Sequence, residues 1–193
     1  MAYSGIAENG YRTGYINTPY YPEEYTAGSF CFRDMEYRNV KMRIDCYTQR
    51  LVILTPDENM SRVVHPAEVK RATIGGTPFV YFGSTEAIPG EGYYAALYEG
   101  EDFSVYSLHY VNNLIQKVQG KVMLRGFSLK ERVFLVKDGQ WTALSGKGSF
   151  IKHFKAHKEA LNSYCKEKKL LFKKGNHSDW SALAAYCETL IRK

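Results

Sequence analysis

The stretch NVKMRIDCY, residues 39–47, indicates the fold class most clearly, because its hydropathy changes at every position. Apolar side chains alternate with charged ones, Val40, Met42, Ile44 and Cys46 on one side and Lys41, Arg43 and Asp45 on the other. A period of two residues places the two sets on opposite faces of a β-strand. The stretch therefore predicts a half-buried strand whose apolar face lies against a core.

Short apolar runs, separated by turn residues, follow on the C-terminal side. The runs are LVIL (51–54), RVVH (62–65), FVYF (79–82), GYYAALYEG (92–100) and DFSVYSLHYV (102–111). The connections between them are too short for a crossover helix, so the strands are predicted to pair antiparallel in a meander, without parallel pairing. A slip of phase between Val105 and Tyr106 predicts a β-bulge.

Two further strands are predicted at 121–125 and 127–136. The second ends in the sequence VKDGQWTAL, where Asp138-Gly139 is a strong signal for a two-residue hairpin turn. The sheet is therefore expected to end near Leu144.

The period becomes helical after residue 149. One apolar stripe contains Phe150, Ile151, Phe154, Leu161, Tyr164 and Cys165. A second helix is predicted from about Asp179 to Ile191, with Ser178 as its N-cap. Its stripe contains Trp180, Leu183, Ala184, Cys187, Leu190 and Ile191. Two amphipathic helices need an apolar surface to cover, and the sheet is the expected partner.

These patterns predict a β-rich α+β protein. An antiparallel meander, curled into a half-barrel or folded into two packed layers, is partly covered by two C-terminal helices. The expected organisation is one compact unit in three segments: an irregular tyrosine-rich arm at 1–27, a β domain at 28–146 and a helical pair at 147–193. No apolar run approaches the roughly 20 residues of a transmembrane helix.

The arm holds six of the 16 tyrosines and shows neither a strand period nor a helix period. Disordered segments are poor in aromatic residues, so the arm is predicted to lie against the folded body. The alternative is a ligand surface made by its tyrosines. The candidate residues for that surface are Tyr11, Tyr15, Tyr20, Tyr21 and Tyr25.

Residues 147–174 carry nine Lys and two Glu, a balance of +7, in a chain whose formal charge is +6. The lysines occupy the helix positions that the apolar stripe leaves over, so they are interpreted as a solvated face. Binding of a polyanion or nucleic acid is the alternative, although the segment lacks the Arg that phosphate recognition often uses. Docking on an anionic membrane or an acidic partner also stays open. The candidate polyanion surface is Lys152, Lys155, Lys158, Lys166, Lys168 and Lys169.

No catalytic, metal-binding or cofactor-binding motif is recognisable, and no residue is assigned to these roles. An enzyme with a dispersed site would need a pocket that gathers His65 or His109 with carboxylates. The four cysteines lack the spacing of zinc sites, and Cys165 and Cys187 are predicted to be buried thiols. Cys31 and Cys46 are a disulfide candidate if the protein is exported.

The run YINTPYYPEEYTAGSFCFRDMEYRNVKMRIDCYTQRLVI, beginning at Tyr15, resembles the start of a group of uncharacterised exported proteins of Bacteroidetes. Tyr15, Pro19 and Tyr20 match a Tyr-x-Gly-Ser-Pro-Tyr-like element, while Asn17 and Thr18 differ from it. The similarity continues through the GYYAALYEG strand, the LVKDGQWTAL turn and the lysine-rich helical end. It implies a periplasmic or cell-envelope location with the leader missing from this numbering, and it implies no activity.

The start of the chain shows no secretory signal, so without this resemblance a cytoplasmic location is expected. The predicted function is that of a non-catalytic cell-envelope protein that binds an unknown protein or small ligand. Its aromatic content of 15% is the reason, because a core of this size does not need so many aromatic side chains. Nucleic acid is the less favoured partner.

Overall fold

A computed structural model describes residues 5–6, 12–33, 35–55, 60–173 and 175–192. The described strands are β1 (Gly5–Ile6), β2 (Arg12–Tyr15), β3 (Tyr20–Phe32), β4 (Met35–Asp45), β5 (Arg50–Leu54), β6 (Ser61–Val64), β7 (Arg71–Ile74), β8 (Thr77–Phe82), β9 (Gly92–Glu99), β10 (Ser104–Gln119), β11 (Val122–Lys137) and β12 (Gln140–Leu144). The described helices are α1 (Lys147–His153), α2 (Lys158–Glu167) and α3 (His177–Ile191), with a 3₁₀ turn at Lys155–His157. The predicted α+β class with a β-meander is confirmed.

The chain divides into two compact units. Unit 1 comprises residues 1–69 and 109–130, and unit 2 comprises residues 70–108 and 131–193. This division differs from the predicted single unit with boundaries at 27 and 146. The divisions after residues 108 and 130 fall inside the two 16-residue strands β10 and β11. Each of these strands therefore has one part in unit 1 and the other part in unit 2. The hydropathy of a continuous strand does not mark such a division.

In unit 1, strands β3 to β6 form a meander in which each strand pairs antiparallel with the next. Residues 39–47 behave as predicted: Met42, Ile44 and Cys46 are buried, whereas Lys41 is exposed. In β5, Leu51 pairs with Ile44 and is also buried, which places the core of this meander on the face that the alternation indicates.

The N-terminal segment is more regular than predicted. Residues 12–15 and 20–27 lie in strands, so the prediction of an irregular arm is wrong for them. Register shifts between Tyr21 and Thr26 and between Gly28 and Phe30 interrupt the alternation in β3, which explains why the sequence pattern does not reveal this strand.

Part of this segment pairs with another strand of unit 1. Strand β2 pairs with β11 in parallel, with Arg12 opposite Val122. The expectation of exclusively antiparallel pairing is therefore wrong at this position. Short connections exclude parallel pairing between consecutive strands only, and more than a hundred residues separate β2 from β11.

In unit 2, strands β7 to β12 follow one another in a second meander. The predicted bulge is confirmed by a register shift between Val105 and Tyr106. Lys137 pairs with Gln140 around the predicted two-residue turn, and the sheet ends at Leu144 as expected. The two strands predicted at 121–125 and 127–136 form one strand, β11.

The helices of unit 2 bury the predicted stripes. Their buried side chains are Phe150, Ile151, Phe154, Leu161, Cys165, Trp180, Leu183, Ala184 and Cys187. Helix α3 packs against β9, and α1 packs against β12, so the helices cover the sheet as predicted. No described helix is long and apolar enough to span a membrane.

Two details of the helices differ from the prediction. The first helix is interrupted at Phe154, whose φ of −124° and ψ of 52° are not helical, so α1 and α2 are separate. Its apolar stripe nevertheless continues across the interruption, since Phe154, Leu161 and Cys165 are all buried. Helix α3 begins at His177 after Asn176, two residues before the predicted start, so Ser178 is not its N-cap.

Candidate binding groove

The tyrosines that the sequence singles out do not form one continuous surface among the described residues. Tyr11 lies outside the described residues, and Tyr15 lies in β2, where the structure describes only the backbone. Tyr20, Tyr21 and Tyr25 lie in β3 and are partly buried. These three tyrosines divide into two separate packing arrangements.

Tyr20 and Tyr25 pack on the guanidinium group of Arg43. Its Cζ atom lies 3.5 Å from the centroid of the Tyr20 ring and 4.0 Å from that of Tyr25. Each contact is a cation–π interaction worth about 0.5–1 kcal/mol at an exposed site. The Arg43 Nη1 atom also donates a hydrogen bond to the Glu23 carbonyl, and the Tyr25 hydroxyl is hydrogen-bonded to the Ser61 hydroxyl at 2.5 Å. Arg43 therefore covers one face of both rings.

Tyr21 makes the second arrangement. Its ring stacks on the imidazole of His109 with 3.7 Å between centroids and 9° between planes. The His109 carbonyl accepts a hydrogen bond from the Gln49 side chain at 2.8 Å. His109 is buried, so the stack shields one face of the Tyr21 ring from the solvent.

A different aromatic cluster lines an open groove of about 470 Å³ in unit 1. The rings of Phe30 and Tyr37 stack with 5.2 Å between centroids, and Phe32 meets Tyr37 edge-on at 6.4 Å. Strands β4 to β6 contribute the aliphatic part of the wall, made by Val40, Ile53, Val63 and others. We call this feature the aromatic groove.

The β3–β4 hairpin produces the aromatic groove. Phe30 pairs with Tyr37 and Phe32 with Met35 across the hairpin, and the turn includes Arg33 in the left-handed region at φ 48°. Val40 lies two positions from the buried Met42 and therefore on the same face of β4. The groove is thus the outer continuation of the core face of this meander, at the point where the core is no longer covered.

A few polar groups stand at the wall of the aromatic groove. They belong to Thr55, Arg62 and Glu68, and the last two side chains are exposed. Small-molecule sites typically combine an apolar wall with a small number of polar groups that orient the ligand. The aromatic groove has this composition.

A second groove of about 400 Å³ also lies in unit 1. Tyr47, Leu114, Ile115, Gln116, Arg125, Gly126 and Phe127 line it. Its aromatic wall consists of Tyr47 and Phe127, whose ring centroids are 6.1 Å apart and whose planes are tilted by 53°. It offers less aromatic surface than the aromatic groove.

The six candidate lysines of unit 2 are all exposed, which both the solvated-face interpretation and the polyanion alternative require; they are Lys152, Lys155, Lys158, Lys166, Lys168 and Lys169. The histidines of the enzyme hypothesis are separate from both grooves: neither groove has a histidine among its described lining residues. His65 is exposed, and its Nδ1 atom accepts a hydrogen bond from the Ala67 amide.

The cysteines are free. Cys165 and Cys187 are buried, as predicted, and burial raises the pKa of both thiols. Cys31 and Cys46 do not form the disulfide that the sequence allows. Cys31 pairs with Glu36 across the hairpin, and Cys46 follows the opposite end of β4, so the two residues are not cross-strand neighbours.

Comparisons with protein-family models, curated proteins and solved structures found no significant match to this chain. The groove geometry therefore has to be interpreted from its own residues. The sequence pattern does not predict the roles of Phe30, Phe32 and Tyr37, because a register shift between Gly28 and Phe30 interrupts the alternation there. The available signal was the concentration of large apolar residues in SFCFRDMEY, residues 29–37.

Proposed function

We propose that this protein is a non-catalytic binding protein whose aromatic groove holds a small, mostly apolar molecule. The observation that carries the proposal is the stacked pair Phe30–Tyr37 in the wall of an open groove. A volume of about 470 Å³ lies within the range of roughly 300–1,000 Å³ that small-molecule sites occupy.

Exposure of the wall supports this role. Tyr37 is 37% exposed and Val63 is 66% exposed, so apolar surface that the core does not need faces the solvent. Apolar surface of this kind favours a ligand that removes it from water. Two offset aromatic rings suit a flat or chain-like apolar body.

The polar groups indicate the other end of the ligand. Arg62 offers a cation and Glu68 an anion at the wall of the same groove, and the Thr55 hydroxyl, which donates its hydrogen to the Met60 carbonyl at 3.1 Å, can still accept a hydrogen bond. A ligand with an apolar body and one polar end would pair its polar end with one of these groups. This chemistry defines a class of ligand, an amphiphilic small molecule, and requires no chemical step.

Titration with an environment-sensitive apolar dye such as Nile red tests the proposal. We expect saturable fluorescence enhancement that Tyr37→Ala weakens about tenfold, since losing one buried aromatic contact changes affinity by roughly this factor. Tyr47→Ala is the matched control, because Tyr47 is exposed in the second groove of the same unit. Unchanged binding by Tyr37→Ala together with weakened binding by Tyr47→Ala would assign the dye to the second groove and overturn the proposal.

We further propose a periplasmic or cell-envelope location. The resemblance to exported proteins of Bacteroidetes supports it, through the matches at Tyr15, Pro19 and Tyr20. Fractionation of the source cells, with antibody detection in the periplasmic and membrane fractions, tests it. Recovery of the protein in the cytoplasmic fraction alone would reject this location and leave the groove proposal intact.

A further inference from the structure

The connection between α2 and α3 carries a bulky apolar side chain that faces the solvent. Leu171 is 64% exposed, although its neighbours Leu170 and Phe172 are partly buried. The Phe172 ring lies 4.9 Å from the Trp180 ring in an edge-on contact, which anchors the connection to α3. Leu171 is therefore outside the apolar stripes that pack in unit 2.

The backbone of this connection is held in a defined shape. A single carboxylate oxygen, Oδ2 of Asp179, accepts hydrogen bonds from the amides of Leu171 and Phe172 at 2.8 and 2.9 Å. Phe172 adopts a φ of 52°, in the left-handed region that non-glycine residues rarely occupy. Such a conformation persists where surrounding contacts impose it. The same contacts fix the outward direction of Leu171.

Positive charge surrounds the exposed leucine along the chain. Lys166, Lys168, Lys169 and Lys173 are all exposed. Two acidic groups lie next to them: Glu167, whose carboxylate is 3.1 Å from Lys168 Nζ in an exposed ion pair, and Asp179, whose carboxylate accepts the Leu171 and Phe172 amides. Residues 166–173 contain four Lys and one Glu, a balance of +3, so the potential of this segment is positive. We call residues 166–173, which comprise the end of α2 and the start of the connection, the leucine–lysine loop.

We propose that the leucine–lysine loop binds the surface of an anionic lipid membrane, with Leu171 entering the headgroup region and the lysines contacting lipid phosphates. Exposed lysines and one protruding aliphatic side chain match the two attractions of such a surface, charge and apolar burial. This role is independent of the aromatic groove, which belongs to unit 1.

Nucleic acid explains the same loop less well. Single-stranded nucleic acid is bound by exposed aromatic rings on which bases stack, together with basic side chains. No Phe, Tyr or Trp is exposed within residues 147–173, and Tyr164 is already stacked on Tyr186 with 4.1 Å between centroids. A protruding leucine gains nothing from a phosphate backbone, whereas it gains from a lipid interface.

Sedimentation with lipid vesicles tests the proposal. The full chain is mixed with vesicles of equal parts phosphatidylcholine and phosphatidylglycerol, and with vesicles of phosphatidylcholine alone. We expect binding to the anionic vesicles that weakens as salt is added, because screening reduces the attraction of the lysines. We expect little binding to the neutral vesicles.

Variants separate the two contributions. Leu171→Ser is expected to lower partitioning about tenfold, and Lys168→Glu with Lys169→Glu to lower it by more than about tenfold. Glu167→Gln removes the local anion and is expected to strengthen binding. Leu114→Ser is the matched control, because Leu114 is similarly exposed, at 61% against 64% for Leu171, but lies in unit 1.

Several results would overturn the proposal. One is the absence of sedimentation with anionic vesicles. Another is an unchanged partitioning of Leu171→Ser when the lysine variant loses binding, which would indicate adsorption by charge alone. Salt-sensitive retention on DNA without vesicle binding would assign the loop to nucleic acid. Circular dichroism of each variant excludes unfolding as the cause.

Discussion

The Oε1 atom of Glu188, in α3, lies 3.0 Å from the backbone nitrogen of Glu101, in the turn between β9 and β10, and accepts its hydrogen bond. The same oxygen accepts the amide of Asp102 at 3.2 Å and contacts Arg192 at 3.2 Å. Glu188 is buried, and its Oε1 atom is solvated by two backbone amides and one guanidinium group instead of water, whereas its Oε2 atom is buried without a hydrogen-bond partner among the described residues. The Glu188 side chain therefore connects helix α3 to the turn between β9 and β10.

We expect Glu188→Ala to lower the free energy of unfolding by about 1–3 kcal/mol, because two amides lose their acceptor in a partly buried place. Urea denaturation followed by circular dichroism measures the change. Glu159→Ala is the control, since Glu159 is an exposed glutamate of α2. Equal midpoints for the two variants would show that Glu188 does not stabilise the turn.

The side-chain amide of Asn17 attaches the N-terminal segment to β11. Its Nδ2 atom donates to the Phe127 carbonyl at 2.8 Å, and its Oδ1 atom accepts the Phe127 amide at 2.7 Å, as a paired strand would. The approach requires glycine at position 126, because a Cβ atom there would lie 2.5 Å from Ile16 Cγ1. A single side chain thus extends the parallel β2–β11 pairing.

We expect Asn17→Ala to lower protection of the β2 and β11 amides against hydrogen exchange, since two exposed hydrogen bonds are worth about 1–3 kcal/mol together. Gly126→Ala should produce the same pattern by steric displacement. Asn112→Ala, at an exposed asparagine of β10, is the control. Protection that falls equally in β4 and β5 would mean a global loss of stability and contradict a local attachment.

The local periodicity of hydropathy and the turn residues made much of the fold predictable. The burial of Met42 and Ile44 follows from alternation within one strand, and the turn before Gln140 follows from the conformational preferences of Asp138-Gly139. Hydropathy periodicity could not reveal the pairing of β2 with β11, because it does not indicate which strand, distant in sequence, a given strand pairs with.

The aromatic groove was beyond sequence reasoning for a related reason. Its wall depends on the pairing of Phe30 with Tyr37, which in turn depends on a register shift between Gly28 and Phe30. A shift of one position exchanges the faces of a strand, so alternation alone cannot place these rings. Exposure of Leu171 depends likewise on hydrogen bonds from the loop to Asp179.

The thiols should differ sharply in reactivity. Cys31 is exposed, whereas Cys46, Cys165 and Cys187 are buried, and burial raises the pKa of each buried thiol, that of Cys187 to about 12. Thiolate is the reactive form, so buried thiols with raised pKa react slowly.

We expect Ellman's reagent to modify one thiol of the native protein rapidly and all four in denaturant. Cys31→Ser should abolish the rapid reaction, and Cys165→Ser should leave it unchanged. Rapid reaction of a second thiol in the native state would contradict the burial of the other three.

The raised pKa values of two buried tyrosines predict a loss of stability at alkaline pH. Burial raises the pKa of Tyr94 to about 12, and burial with a hydrogen bond to Glu99 raises that of Tyr106 to about 12. The Tyr94 hydroxyl donates to the Gly90 carbonyl at 2.7 Å, and the Tyr106 hydroxyl donates to Glu99 Oε1 at 2.9 Å. Both bonds require the protonated phenol.

The pKa of each phenol is higher in the folded state than its ordinary value near 10. At a pH between these two pKa values the folded state keeps the proton and the unfolded state loses it, so the unfolded state binds fewer protons. Stability is then complete below pH about 10 and falls as the pH rises toward about 12. We expect the urea midpoint to decrease across this interval, and absorbance at 295 nm to show a late ionisation step. Tyr94→Phe and Tyr106→Phe should each reduce that step and flatten the decrease. A midpoint that stays constant across the interval would show that neither phenol is protected by the fold.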